Sequence, residues 1–366
     1  HFAPMYNFHF ATLFTLFGLD YRFYYFVLLL VTLTTGFFMW RLILLLGGDH
    51  TTGFAAAVLL AVHPSMNDVL MWVSASWALF VHFWGLLSIL LLFRFFRTER
   101  LRWFGASMVA FVFALQSIEF GFIYFPFMVL LFLQIQTSRE RLLRNSLYFL
   151  FIPGFIVAAL LAVYLFLFYL PQDAPAARRI ADLGNWSLTA RYFLVRLLGG
   201  IPLDFGMWPE FREKYAPPAA IVTDRSFPLF LLFLILVAGA WRRRLCRVQI
   251  VGLTWTAFAV LALALFKPEI RFVALALPGF LLFFVPLLTE PETDAAEKNP
   301  KLPFLNILVL FLLVGVFAAE TESRMAFYIE NNRQQEQMRA QVVDLYSEIP
   351  ANSLIVLGYP KDLPHF

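Results

Sequence analysis

Residues 23–46 read FYYFVLLLVTLTTGFFMWRLILLL, an apolar run interrupted by one charge, Arg41. A helix that crosses a bilayer needs about 20 predominantly apolar residues, so this run is long enough. Similar runs follow at 53–63, 77–96, 103–117, 121–136, 146–170, 226–241, 248–266, 272–288 and 304–319. Together they predict an all-α polytopic membrane protein, a bundle of about ten transmembrane helices over residues 23–319. The run at 53–63 is too short to cross alone. It either continues through His63-Pro64 or is a broken helix packed inside the bundle. Irregular backbone at membrane depth is tolerated only where protein or a water-filled cavity shields it.

Composition agrees. Hydrophobic residues make up 61% of the chain and charged residues 14%, against about half and a quarter in soluble domains. The single cysteine, Cys246, excludes an internal disulfide framework. The net charge of +4 is small and its basic residues gather in loops, a pattern that orients membrane helices and argues against nucleic-acid binding. Arg97, Arg100 and Arg102, then Arg139, Arg141 and Arg144, then Arg242, Arg243, Arg244 and Arg247 occupy alternate loops. The positive-inside rule puts these loops in the cytoplasm. The opposite, outer side then receives 1–22, 64–76, 171–225, 267–271 and 320–366. In the long loop 171–225, Leu188–Leu198 is an amphipathic run suited to the membrane surface. Residues 353–358, SLIVLG, predict one strand, the start of a C-terminal soluble α/β segment.

Three ionisable residues stand out on the outer side. Asp68 lies in the stretch AVHPSMNDVLMWVSA (61–75), five positions after His63. A carboxylate there can act as a base or hold a cation. Equally, Asn67 or Asp68 can cap the next helix. Glu119 interrupts two apolar runs after Gln116-Ser117-Ile118. It is either a carboxylate facing a cavity or a satisfied polar group in a helix break. Arg271, after Lys267-Pro268-Glu269, suits bidentate phosphate recognition, or serves as an anchor paired with Glu269. His1, His9 and His63 share no ligand spacing.

The order of these pieces resembles a known family. His1-Phe2-Ala3-Pro4 precedes Phe17-Gly18-Leu19 and a long helix. A short helix then leads to His63-Pro64, with Asp68 four positions beyond the proline and Trp72-Val73-Ser74 after it. Ser117-Ile118-Glu119 and Pro126 follow, and later Arg271-Phe272 and Pro278-Gly279. This is similar to the transmembrane part of the tetratricopeptide-containing O-mannosyltransferases and their bacterial relatives, of the GT-C superfamily. The likeness covers residues 1–135 and, more loosely, 265–285.

The resemblance implies a GT-C-like bundle that moves a sugar from a polyprenyl-phosphate carrier to an acceptor hydroxyl at the outer face of a bacterial-type inner membrane. It implies Asp68 and Glu119 as catalytic acids, and His63, Arg271 and His1 as substrate-binding residues. A divalent metal is the one cofactor it leaves open. The expected partners are the lipid-linked donor, membrane lipids and further membrane subunits, with no nucleic acid. The family's first external loop, with its main catalytic acid, is expected upstream of His1, and the C-terminus on the outer side.

The chain departs from the pattern at two places. Ala75-Ser76-Trp77-Ala78 stands where tetratricopeptide-type relatives have Gly-Arg-x-Asp, and Ile118 stands at the lysine of Ser-Lys-Glu. These departures keep open a non-catalytic structural subunit of a larger membrane assembly. A transporter of a lipid-linked substrate is the third reading, suggested by the broken helices.

Overall fold

The computed structural model describes residues 4–18, 20–71, 76–135, 152–164, 197, 245–266 and 274–289, with single positions at 311, 314, 315, 333 and 337. All regular elements among the described residues are helical. They are α1 (Pro4–Phe17), α2 (Tyr21–Leu45), α3 (His50–Val62), α4 (Pro64–Met71), α5 (Trp77–Thr98), α6 (Leu101–Ser117), a 3-10 turn (Glu119–Ile123), α7 (Tyr124–Ile135), α8 (Ile152–Tyr164), α9 (Arg247–Phe266) and α10 (Leu277–Thr289).

Two of these, Arg22–Leu45 and Trp77–Thr98, are long and apolar enough to cross a membrane. Shorter apolar helices surround them. The α2 helix shows what kind of surface the bundle presents. Leu28, Met39, Leu42 and Ile43 are buried, while Phe23, Phe26, Leu29, Leu30, Leu33 and Phe37 are exposed. A helix apolar all round belongs in a membrane or a large core, and a contiguous exposed apolar face of this kind fits lipid.

The helix boundaries have local causes. Asp20 caps α2, accepting from the Arg22 amide at 3.1 Å. Asp49 caps α3, accepting from the Thr52 amide at 2.6 Å. Glu99 ends α5 in the left-handed conformation (φ 53°), and its amide donates to the Phe95 carbonyl at 2.7 Å. The exposed Arg94 guanidinium lies 3.9 Å from the Trp103 ring centroid, an aromatic–cation pair beside the basic Arg97, Arg100 and Arg102 loop.

Of the two alternatives for the 53–63 run, continuation through His63-Pro64 or a broken helix, the structure shows the broken helix. His63 takes an extended conformation (φ −64°, ψ 131°), and Pro64 opens α4 at the position that needs no amide donor. Asn67 and Asp68 therefore lie inside α4 rather than capping α5, whose N-cap residue is Ser76, with no side-chain cap bond.

Close backbone contacts join the bundle. The α5 and α6 helices exchange reciprocal hydroxyl bonds: Ser88 donates to the Ser107 carbonyl at 2.7 Å and Ser107 to the Ser88 carbonyl at 2.8 Å. The α9 and α10 helices meet at glycines. A Cβ on Gly252 would lie 2.6 Å from the Leu282 carbonyl carbon and 2.7 Å from the Gly279 oxygen. The α10 helix also packs on α3, where the Thr52 and Thr289 hydroxyls meet.

The helices start and stop within a few residues of the apolar runs wherever both are described. The run at 226–241, most of 304–319, the amphipathic stretch apart from Leu197, and the strand at 353–358 lie outside the described residues.

Candidate functional site

His63 sits at the break between α3 and α4, fully buried. The Ser65 amide donates to its Nδ1 at 3.1 Å, and its Nε2 lies 3.1 Å from the Leu197 carbonyl. A carbonyl can only accept, so Nε2 carries the proton and Nδ1 offers its lone pair. The ring thus ties residues 63–65 to Leu197, which is itself buried. In this conformation His63 can meet a substrate only by giving up one of these bonds.

Asp68 lies in α4 between the buried Met66 and Val69. This short helix packs against α2, α3 and α5. Glu119 opens the 3-10 turn, which packs on α6, α7, α8 and α9. The turn is held down by Gly121, where a Cβ would lie 2.6 Å from the Ala114 carbonyl carbon and 2.7 Å from the Leu115 nitrogen. A side chain at 121 would lift the turn, and Glu119 with it, off α6. The two acids are thus on separate short elements, following the breaks at His63 and Ile118, with α5 and α6 between them in the chain. Arg271 and His1 lie outside the described residues. Among the described residues no group of three His, Cys, Asp or Glu gathers to hold a metal ion.

An aromatic cluster docks α1 on the bundle. The His9 ring stacks on Phe80, with centroids 4.3 Å apart, and the Trp84 indole N–H donates to His9 Nε2 at 3.2 Å. Burial lowers the His9 pKa. Tyr6 hydrogen-bonds with the Ser76 side chain. Burial raises the Tyr6 pKa, and that bond partly offsets the rise.

One buried polar group has no counterpart among the sequence candidates. His82, in α5, is fully buried. Its Nδ1 lies 2.8 Å from the Tyr124 hydroxyl and its Nε2 2.8 Å from the Ala274 carbonyl. The signal that could have found it is an ionisable residue inside an apolar span, where such residues are expensive and keep specific partners.

The apolar helical bundle and the motif order set out above agree with the GT-C-like class that the resemblance implies. The comparison with protein families supports that class: residues 1–168 match the model described as dolichyl-phosphate-mannose-protein mannosyltransferase. The matched segment contains His1, His63, Asp68 and Glu119 and stops short of Arg271. No curated protein and no solved structure matches the chain.

Proposed function

We propose that the protein transfers a sugar from a polyprenyl-phosphate carrier to an acceptor hydroxyl at the outer face of a bacterial-type inner membrane. The observation that carries this reading is that both candidate acids lie on short elements that follow helix breaks inside the family-matched segment. In the reaction the acceptor oxygen attacks the anomeric carbon, and the bond from that carbon to the phosphate oxygen breaks. The acceptor proton passes to a carboxylate, for which Asp68 is the first candidate and Glu119 the second. The departing polyprenyl phosphate needs positive charge, which Arg271 supplies in bidentate form. His63 and His1 complete the proposed donor-binding set, and a divalent cation is the one cofactor this chemistry would accept.

The test uses labelled polyprenyl-phosphate mannose and detergent-solubilised protein. Asp68→Ala and Glu119→Ala should each abolish transfer while the melting curve stays in place. Wild-type activity retained in both variants removes the site assignment.

A specific observation favours a second reading, a non-catalytic subunit of a membrane assembly. Among the described residues, the positions that depart from the family pattern are packed in the bundle: Ser76, Ala78 and Ile118 are all buried. That reading predicts stable co-purification with other membrane proteins and no binding of the lipid carrier.

A further inference from the structure

His82 joins three separated parts of the chain at one buried point. Because the Ala274 carbonyl can only accept, Nε2 carries the ring proton, and Nδ1 accepts from the Tyr124 hydroxyl. Tyr124 is the first residue of α7 and directly follows the turn that begins at Glu119. Ala274 is three positions after Arg271. The Tyr124 ring cannot drift: it lies against Gly85, where a Cβ would be 2.5 Å from its Cζ, and meets the Trp255 ring at 4.9 Å. His82, Tyr124 and Trp255 are all fully or almost fully buried. Packing alone does not call for a histidine here, since an apolar residue of similar volume would fill the space without a polar group to satisfy. The polar group is kept where it joins Tyr124, directly after the Glu119 turn, to Ala274, ahead of α10.

We propose that His82 is a positioning residue that sets the Glu119 turn relative to Ala274 at the entry to α10. The proposal rests on the glycosyltransferase reading only for its catalytic consequence; the mechanical link stands on the two hydrogen bonds. Misplacement of reacting groups by about 1 Å can cost about 100-fold in rate, so loss of the clasp should fall on kcat and leave the KM for donor nearly unchanged.

The experiment has two readouts on the full chain. For distance, spin labels are placed at the half-buried Phe122→Cys in the turn and Phe284→Cys in α10, in a Cys246→Ser background that removes the chain's single cysteine. For catalysis, unlabelled variants turn over polyprenyl-phosphate mannose. The parent should give one narrow distance distribution. His82→Ala and Tyr124→Phe should broaden it and lower kcat, by about 100-fold for His82→Ala. His82→Gln, whose amide can both donate and accept, should restore both. If His82→Ala does not fold, Tyr124→Phe, which keeps the ring, decides. Distances unchanged in the clasp variants overturn the proposal, as does an unchanged kcat in an active enzyme whose distances have broadened. Broadened distances in a protein that never turns over the donor uphold the clasp and remove the glycosyltransferase reading instead.

Discussion

The contact between α9 and α10 makes a quantitative prediction. At Gly252 an added Cβ would meet the Phe283 nitrogen, the Leu282 carbonyl carbon at 2.6 Å and the Gly279 oxygen at 2.7 Å. All three are backbone atoms, so no side chain can rotate away. Carbon contacts are comfortable at about 3.5–4.0 Å, so Gly252→Ala has to push the helices apart by roughly 1 Å. A gap of that size forfeits a quarter to a half of each contact's ~0.1–0.2 kcal/mol. Over a seam of roughly a few tens of atom pairs, the loss is about 1–3 kcal/mol, in line with overpacked cores. Gly105→Ala is the control. It lies inside α6 with nothing within 4 Å of its added Cβ, so the change should stabilise by about 0.5–1 kcal/mol through helix propensity. Reversible unfolding in mixed micelles would read both. Equal effects of the two substitutions, or a neutral Gly252→Ala, would refute the packing argument.

Other outcomes follow from single contacts. Ser88→Ala should cost about 0.6–2 kcal/mol by breaking the reciprocal hydroxyl pair, and the Ser88→Ala, Ser107→Ala double variant should cost less than the sum of the two in the same unfolding assay. Asp49→Ala removes the α3 cap and should cost about 0.5–2 kcal/mol, with faster hydrogen exchange confined to residues 50–53. His9 binds Trp84 through an unprotonated Nε2, and burial has lowered its pKa. The folded state therefore takes up fewer protons than the unfolded chain. Docking of α1 is strongest above the ordinary histidine pKa of about 6.5 and weakens as pH falls below it. Protection factors of the α1 amides, corrected for the intrinsic exchange rate at each pH, should fall between about pH 8 and about pH 5, and His9→Phe should flatten that dependence.

The helical fold was legible because apolar runs report helix extents directly. The 77–96 and 103–117 runs match α5 and α6 to within a few residues. At His63-Pro64 the sequence left continuation and a break both open; proline disfavours a helical residue before it, and the structure takes the break. Position 68 was harder. Its neighbours suit a loop or a cap as well as a helix, and only the packing of α4 on α2, α3 and α5 decides for the helix. His82 was not legible as a junction. Its partners are 42 and 192 positions away, and no periodicity carries contacts of that range. His63 was flagged for its sequence neighbourhood, yet what occupies its Nε2 is a carbonyl 134 positions distant.

The central claim is that Asp68 and Glu119 serve sugar transfer from a lipid carrier. The most direct measurement is release of free polyprenyl phosphate from polyprenyl-phosphate mannose by the full-length protein in proteoliposomes, with Asp68→Ala and Glu119→Ala alongside. The account predicts turnover by the wild-type protein that is lost in both variants, each still folded. Folded wild-type protein that neither binds nor turns over the donor would contradict it and leave the structural-subunit reading in its place.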